Sequence, residues 1–246
     1  MKHEIKLCDN QAQDQWAALY LKMACALADK YGMHGKGVIR EGVRRYAAVM
    51  AKQRNQQLIN TDNKTNLETF FDGGFGLPCG NRARKEWIKH SEQELRVNIV
   101  SCPYADYWGG DTREIGRMFC EEYYPVLVHA GISEKAQINL GYTMLNGRDN
   151  SCCLSIYLRP ANLCTEQRRC CFKEFDSDWN SPSREAEYTP NFEEQKSILF
   201  QAFLASAQEC MHQDCVDLIK KAAADYAAEN DDDVIAKLAL EYSAVK

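Results

Sequence analysis

From Phe192 to Lys246 the chain carries neither glycine nor proline. A stretch that long with no helix breaker, and with apolar residues recurring three and four apart, folds as helix and needs a partner for its apolar side. The spacing predicts one long helix to about Ala228, a break at the Glu229–Asp233 run, and a final helix capped from Asp231 to Asp233. The other end repeats the pattern. Gln11 to Tyr31 reads as a helix, and Gly32, Gly35 and Gly37 should end it and begin a second, Val38 to Gln57, with bases on one face. Residues 1–60 are therefore expected to form a helical hairpin and residues 191–246 a C-terminal helical pair.

Between these helical ends the period changes. Glu92 to Val100 alternates apolar and polar residues, as a half-buried strand does. Asp111 or Thr112 should cap a helix running toward Tyr124, and Asp111 with Glu114 has the spacing of a capping box. Gln137 to Leu145 and Ser151 to Leu158 read as two strands whose link carries an asparagine–glycine turn signal, and a third strand is expected near Cys170 to Phe175. The expected fold is α+β: an antiparallel sheet with an inserted helix, flanked by N-terminal and C-terminal helical pairs. With 246 residues, 45% hydrophobic and 26% charged, one domain with a substantial core is expected, residues 92–175 forming its α/β centre.

The balance of charge narrows the partners. A net charge of −5 with no dominant basic stripe argues against nucleic acid. There is no signal-peptide h-region and no apolar run of membrane-spanning length, so a cytoplasmic protein without membrane partners is expected. In a reducing compartment the 12 cysteines should be thiols rather than a disulfide framework. None of them forms a Cys-x-x-Cys pair, and the groups Cys164, Cys170, Cys171 and Cys210, His212, Cys215 match no standard zinc pattern, so no metal or cofactor is expected. The glycines Gly73, Gly74 and Gly76 mark a loop without a phosphate-binding fingerprint. The basic run Arg82, Arg84 and Lys85 after it is either a carboxylate holder or a solvated face.

The stretch SCPYADYWGG, Ser101 to Gly110, connects the first strand to the helix. Pro103 suits the first position of a short helix, which puts Cys102 at the N-cap, and Gly109-Gly110 ends that helix. Free N–H groups and the helix dipole there should favour the thiolate, the nucleophilic form. The alternative is a buried, inert cysteine at a strand end. Asp106 lies four residues on, near the same face. Cys120 sits beside the apolar stripe Ile115, Phe119, Tyr123, and Cys152 and Cys153 must face opposite sides of their strand, so one at most sees a given pocket. The set Tyr104, Tyr107, Trp108, Tyr123, Tyr124 either lines an apolar pocket or packs as core with polar tips.

Three motifs in order carry a family resemblance: Cys102-Pro103-Tyr104-Ala105 after a strand, Gly116-Arg117-Met118-Phe119-Cys120-Glu121 on a helix, and Gly147-Arg148-Asp149-Asn150-Ser151-Cys152 at a hairpin. Together they resemble the L-2-amino-thiazoline-4-carboxylic acid hydrolase family, over about Val97 to Tyr157. Two places differ from the family's usual pattern. Tyr123 stands where an aspartate is frequent, and Cys153 and Leu154 stand where an acid and an aromatic are frequent.

The resemblance implies hydrolytic opening of a small cyclic amidine-like ring that bears a carboxylate. It implies Cys102 as nucleophile with Cys120 its rival, Cys152 as a third thiol, Glu121 or Asp106 as proton carriers, and Arg117 as the carboxylate anchor. Tyr104, His129 and Tyr142 complete the expected substrate contacts. The remaining readings are a non-enzymatic small-ligand-binding or sensor domain with a thiol-lined pocket, and a metal-dependent hydrolase using the same cysteines. A small-molecule substrate is the expected partner, and a homodimer is the ordinary assembly for an enzyme of this size.

Overall fold

The structure is a computed structural model that describes residues 9–61, 63, 65–146, 151–158, 190–211 and 213–241. The expected third strand near Cys170 to Phe175 lies outside these, as do Gly147 to Asn150 of the hairpin motif and His212.

The hairpin at the N-terminus is α1, Asn10–Asn60, two helical arms joined at Gly32. Asp9 caps the first arm, its side chain accepting from the N–H groups of Gln11 and Ala12. Gly32 takes φ 55° and ψ −124°, which reverses the chain. A Cβ on Gly35 would collide with the Leu27 carbonyl, so the arms close tightly at the turn. The reversal brings the rings of Trp16 and Tyr46 to 5.9 Å. In a straight helix, a separation of that many residues would span roughly 45 Å. The basic face of the second arm is paired rather than solvated: Arg40 and Arg44 reach Glu122, and Arg45 reaches Glu41 and Glu209.

A short helix α2, Leu67–Phe70, leads through the glycine loop to the sheet. Among the described residues the sheet has four strands in the order β1-β2-β4-β3, every neighbouring pair antiparallel: β1 Arg84–His90, β2 Glu94–Ser101, β3 Gln137–Tyr142 and β4 Cys152–Tyr157. β1 was not expected; it is an edge strand of charged residues around Trp87 and Ile88. β3 ends at Tyr142, before a single 3-10 turn over Met144–Asn146. Between β2 and β3 lie α3, Pro103–Tyr107, and α4, Arg113–Gly131.

The capping box expected at α4 does not form. Thr112 occupies the cap without a side-chain bond, and the Glu114 carboxylate turns outward to Lys36 at 2.7 Å. The described C-terminal residues form three helices rather than a pair: α5 Phe192–Cys210, α6 Gln213–Asn230 and α7 Asp233–Glu241. Met211 is extended, so the expected single long helix breaks there and folds back. The final cap is as expected, with Asp232 accepting from the Ile235 N–H at 3.0 Å. α1 is the scaffold, packing against both α4 and α5.

Candidate active site

β2 and β4 run antiparallel with Ile99 directly opposite Cys152. The end of β2 therefore lies beside the start of β4, and Cys102, one residue beyond β2, arrives near Cys152. On the next register position Cys153 pairs with Asn98 and faces the other side of the sheet. α4 supplies Cys120. These three thiols, Cys102, Cys120 and Cys152, line one cavity.

The cavity's other walls are aromatic: Trp16 and Tyr46 from α1, Tyr104 and Trp108 from α3, and Phe119, Tyr123 and Tyr124 from α4. Trp16 is central, with its ring 5.2 Å from both Tyr104 and Phe119. α3 is braced from behind by the Trp108 indole, which donates to the Ala17 carbonyl at 3.2 Å. The space open to the centres of water-sized molecules is ≈ 60 Å³. At roughly 10–15 Å³ per water centre that is room for a handful of waters, the scale of one small ring.

Cys102 is the N-cap of α3 with Pro103 following, as expected. The expected thiolate is corrected, however. Burial pushes the Cys102 thiol up to about 12, against the pull of the Ala105 and Tyr104 amides, and neighbouring Cys152 and Asp106 push the same way. Cys120 retains some surface toward the cavity, yet the dense protein around it raises its thiol well above the ordinary value, with Cys102 and Cys152 adding to the rise. The thiols so oppose one another's ionisation, and one thiolate at most is favoured. Burial also raises the Tyr124 phenol.

The remaining expected site residues lie elsewhere. Asp106 is exposed on α3 and does not line the cavity. Glu121 and Arg117 pair with each other at 3.2 Å on the outer side of α4, where Glu121 also meets Arg40. Neither lines the cavity. His129 is exposed, its ring 3.1 Å from the Ala136 carbonyl, and Tyr142 is exposed at the end of β3. In the basic run, Arg82 pairs with Asp14 at 2.5 Å and Lys85 donates to the Pro78 carbonyl at 2.9 Å. Among the described lining residues none carries a formal charge at neutral pH. Among the described residues no cluster of three or more His, Cys, Asp or Glu is arranged to hold a metal ion. Seven described cysteines are free thiols, while Cys79 is disulfide-bonded, which departs from the expectation of thiols throughout.

Sequence reasoning missed the contributions of distant helices. Trp16, Tyr46, Thr143 and Gln195 all line the cavity, and none stands in a local motif. Tyr46 is the clearest: its hydroxyl donates to Gln195 Oε1 at 3.1 Å, linking α1 to α5 at the cavity wall.

Fold and site together define an α+β protein in which helices close a thiol-lined aromatic cavity over one end of an antiparallel sheet. The chain belongs to the L-2-amino-thiazoline-4-carboxylic acid hydrolase family, whose family model matches residues 13–157, more than half of its length. Among curated proteins and among solved structures, none matches it significantly. No described helix is long and apolar enough to cross a membrane.

Proposed function

We propose that the protein is a hydrolase that opens a small cyclic amidine-like ring, a 2-aminothiazoline carrying a carboxylate being the first candidate, with Cys102 as nucleophile. The observation that carries this reading is the convergence of Cys102, Cys120 and Cys152 on one small cavity in a chain of this family. A ring carbon flanked by two heteroatoms is electrophilic once its amidine is protonated. An amidinium inside an apolar cavity also favours a thiolate beside it, because opposite charges attract strongly where water is excluded. The ligand thus supplies the charge that ionises a thiol held neutral in the free protein.

The chemistry then has two stages. Cys102 Sγ loses its proton and bonds to the ring carbon, and the ring C–N or C–S bond breaks with the proton going to the leaving atom. Water adds to the same carbon, the Sγ–C bond breaks, and the thiol is regenerated, so one water is consumed per ring opened. Cys120 and Cys152 stand near enough to influence the ionisation of Cys102 and are its rivals for attack.

The test is a screen of cyclic amidines, thiazolines and hydantoin-like rings read by mass spectrometry, with Cys102→Ala, Cys120→Ala and Cys152→Ala compared. Loss of turnover by about a thousandfold or more in Cys102→Ala alone supports it as nucleophile. Unchanged turnover in Cys102→Ala removes it from that role. A second reading, a small-ligand-binding protein without turnover, is favoured by the thiols being held protonated. Ring binding with no product from any substrate would select it.

A further inference from the structure

The cavity wall is apolar, aromatic and sulfur-bearing except at a few atoms, and three of those atoms have no partner among the described residues. Trp16 Nε1 and Thr143 Oγ1 are buried with no hydrogen bond, on residues 2% and 3% exposed. Gln195, 8% exposed, has its Oε1 engaged by the Tyr46 hydroxyl, which leaves the two donors of Nε2 unused. An unpaired buried polar group is costly, and Trp16 Nε1 and Thr143 Oγ1 are two such atoms on the residues of a single small cavity, where a ligand would satisfy them.

We infer that Gln195 is the residue that selects a carboxylate-bearing ring, donating from Nε2 to the carboxylate with Trp16 Nε1 as a second donor, while Thr143 Oγ1 accepts from the amidine N–H. This rests on the cavity being the substrate site of the proposed hydrolase. The chemistry is matched by donor count. A carboxylate only accepts, and the free atoms of Gln195 and Trp16 only donate. Thr143 is the one of the three able to accept, so it suits the ring's N–H. Tyr46 is a positioning residue: by donating to Oε1 it fixes which end of the amide is left for the ligand.

Gln195 also lies on α5, beyond residues 13–157 that match the family. The selectivity thus depends on a helix outside the segment that carries the three cysteine motifs. It takes the place in substrate binding that Arg117, paired with Glu121 outside the cavity, does not fill.

The experiment is calorimetric titration of the full chain with two probes, 2-aminothiazoline-4-carboxylate and 2-aminothiazoline lacking the carboxylate. The native protein should bind the carboxylate ring more tightly. Gln195→Met should weaken it roughly ten- to a hundred-fold and leave the parent ring within about twofold, the size of one hydrogen bond to a charged group. Thr143→Val should weaken both rings alike, and Thr143→Ser should restore both. Tyr46→Phe should reduce selectivity for the carboxylate with Gln195 intact.

Gln195→Glu keeps the shape and sets a carboxylate against a carboxylate, so it should reverse the preference. Because selectivity is a ratio within one sample, a partly unfolded variant still reports it. Equal binding of both rings by the native protein, binding of neither, or equal weakening of both by Gln195→Met would each overturn the assignment. Turnover is read separately. Selective binding without product sinks the hydrolase and leaves the recognition standing, whereas product formation indifferent to Gln195→Met sinks the recognition alone.

Discussion

Burial and amide donation pull the Cys102 thiol in opposite directions, and burial prevails. The consequence for stability has a definite sign. The folded thiol titrates at about 12 and an unfolded one near the usual 8.5–9, so the contribution is complete below about pH 8.5 and is lost as pH rises toward 12. Urea midpoints of the native protein should fall across that window. In Cys102→Ala the fall should be shallower by up to about 1.4 kcal/mol per pH unit, the share of one thiol.

Reactivity follows the same logic. With iodoacetamide near neutral pH and no ligand, among the described thiols the exposed Cys210 should be labelled first, and Cys102 and Cys120 last, as read by peptide mass spectrometry. Early labelling of Cys102 would show that the amides of α3 outweigh burial after all. The sequence at this corner foretold the cap, the proline and the short helix, because each is a local property. It did not foretell the protonation state, because desolvation is imposed by Trp16, Phe119 and Tyr124, which come from elsewhere in the chain.

At the scale of elements, helices meet where glycine lets them. A Cβ on Gly116 would stand 2.5 Å from the Trp108 Cβ, so α4 approaches α3 as closely as backbone allows. Gly116→Ala should cost about 1–3 kcal/mol in chemical denaturation and shift the fluorescence of Trp108. Gly37, in the second arm of α1, has open space around its Cβ and ordinary helical backbone. Gly37→Ala should therefore stabilise by about 0.5–1 kcal/mol in the same measurement.

Which elements were legible follows from where their signals lie. Both α1 arms, α3, α4 and β2 announce themselves through periodicity and punctuation. β1 does not, since Arg84, Lys85, Glu86 and Lys89 give an edge strand the look of a solvated loop. The break between α5 and α6 has no glycine or proline to mark it, and packing of α6 back onto α5 and α1 decides it. The cavity was half legible. Its three cysteines stand in motifs, but Tyr46 and Gln195 are unremarkable helix residues until the arms fold over one another.

Across the whole molecule, the C-terminal helices are locked by a buried ion pair. Lys196 on α5 donates to Asp232 at 2.5 Å, both buried, and Asp232 also caps α7. Lys196→Met strands that carboxylate in the interior and should destabilise by about 3–5 kcal/mol, measured by urea unfolding at neutral pH. Lys196 directly follows Gln195, so the pair fixes the helical register that delivers the amide to the cavity.

The Gly32 reversal has a consequence for synthesis. It lets the two α1 arms meet early, while the cavity's last wall is Gln195 on α5, which leaves the ribosome long after Cys152. Until α5 docks, a nascent chain carries an open aromatic trough with three thiols on its floor, the state most exposed to chaperones and to oxidants. A chain arrested after residue 157 should therefore be captured by holdase chaperones and recovered with Cys102, Cys120 or Cys152 oxidised, and one extended through α7 should keep these three as thiols.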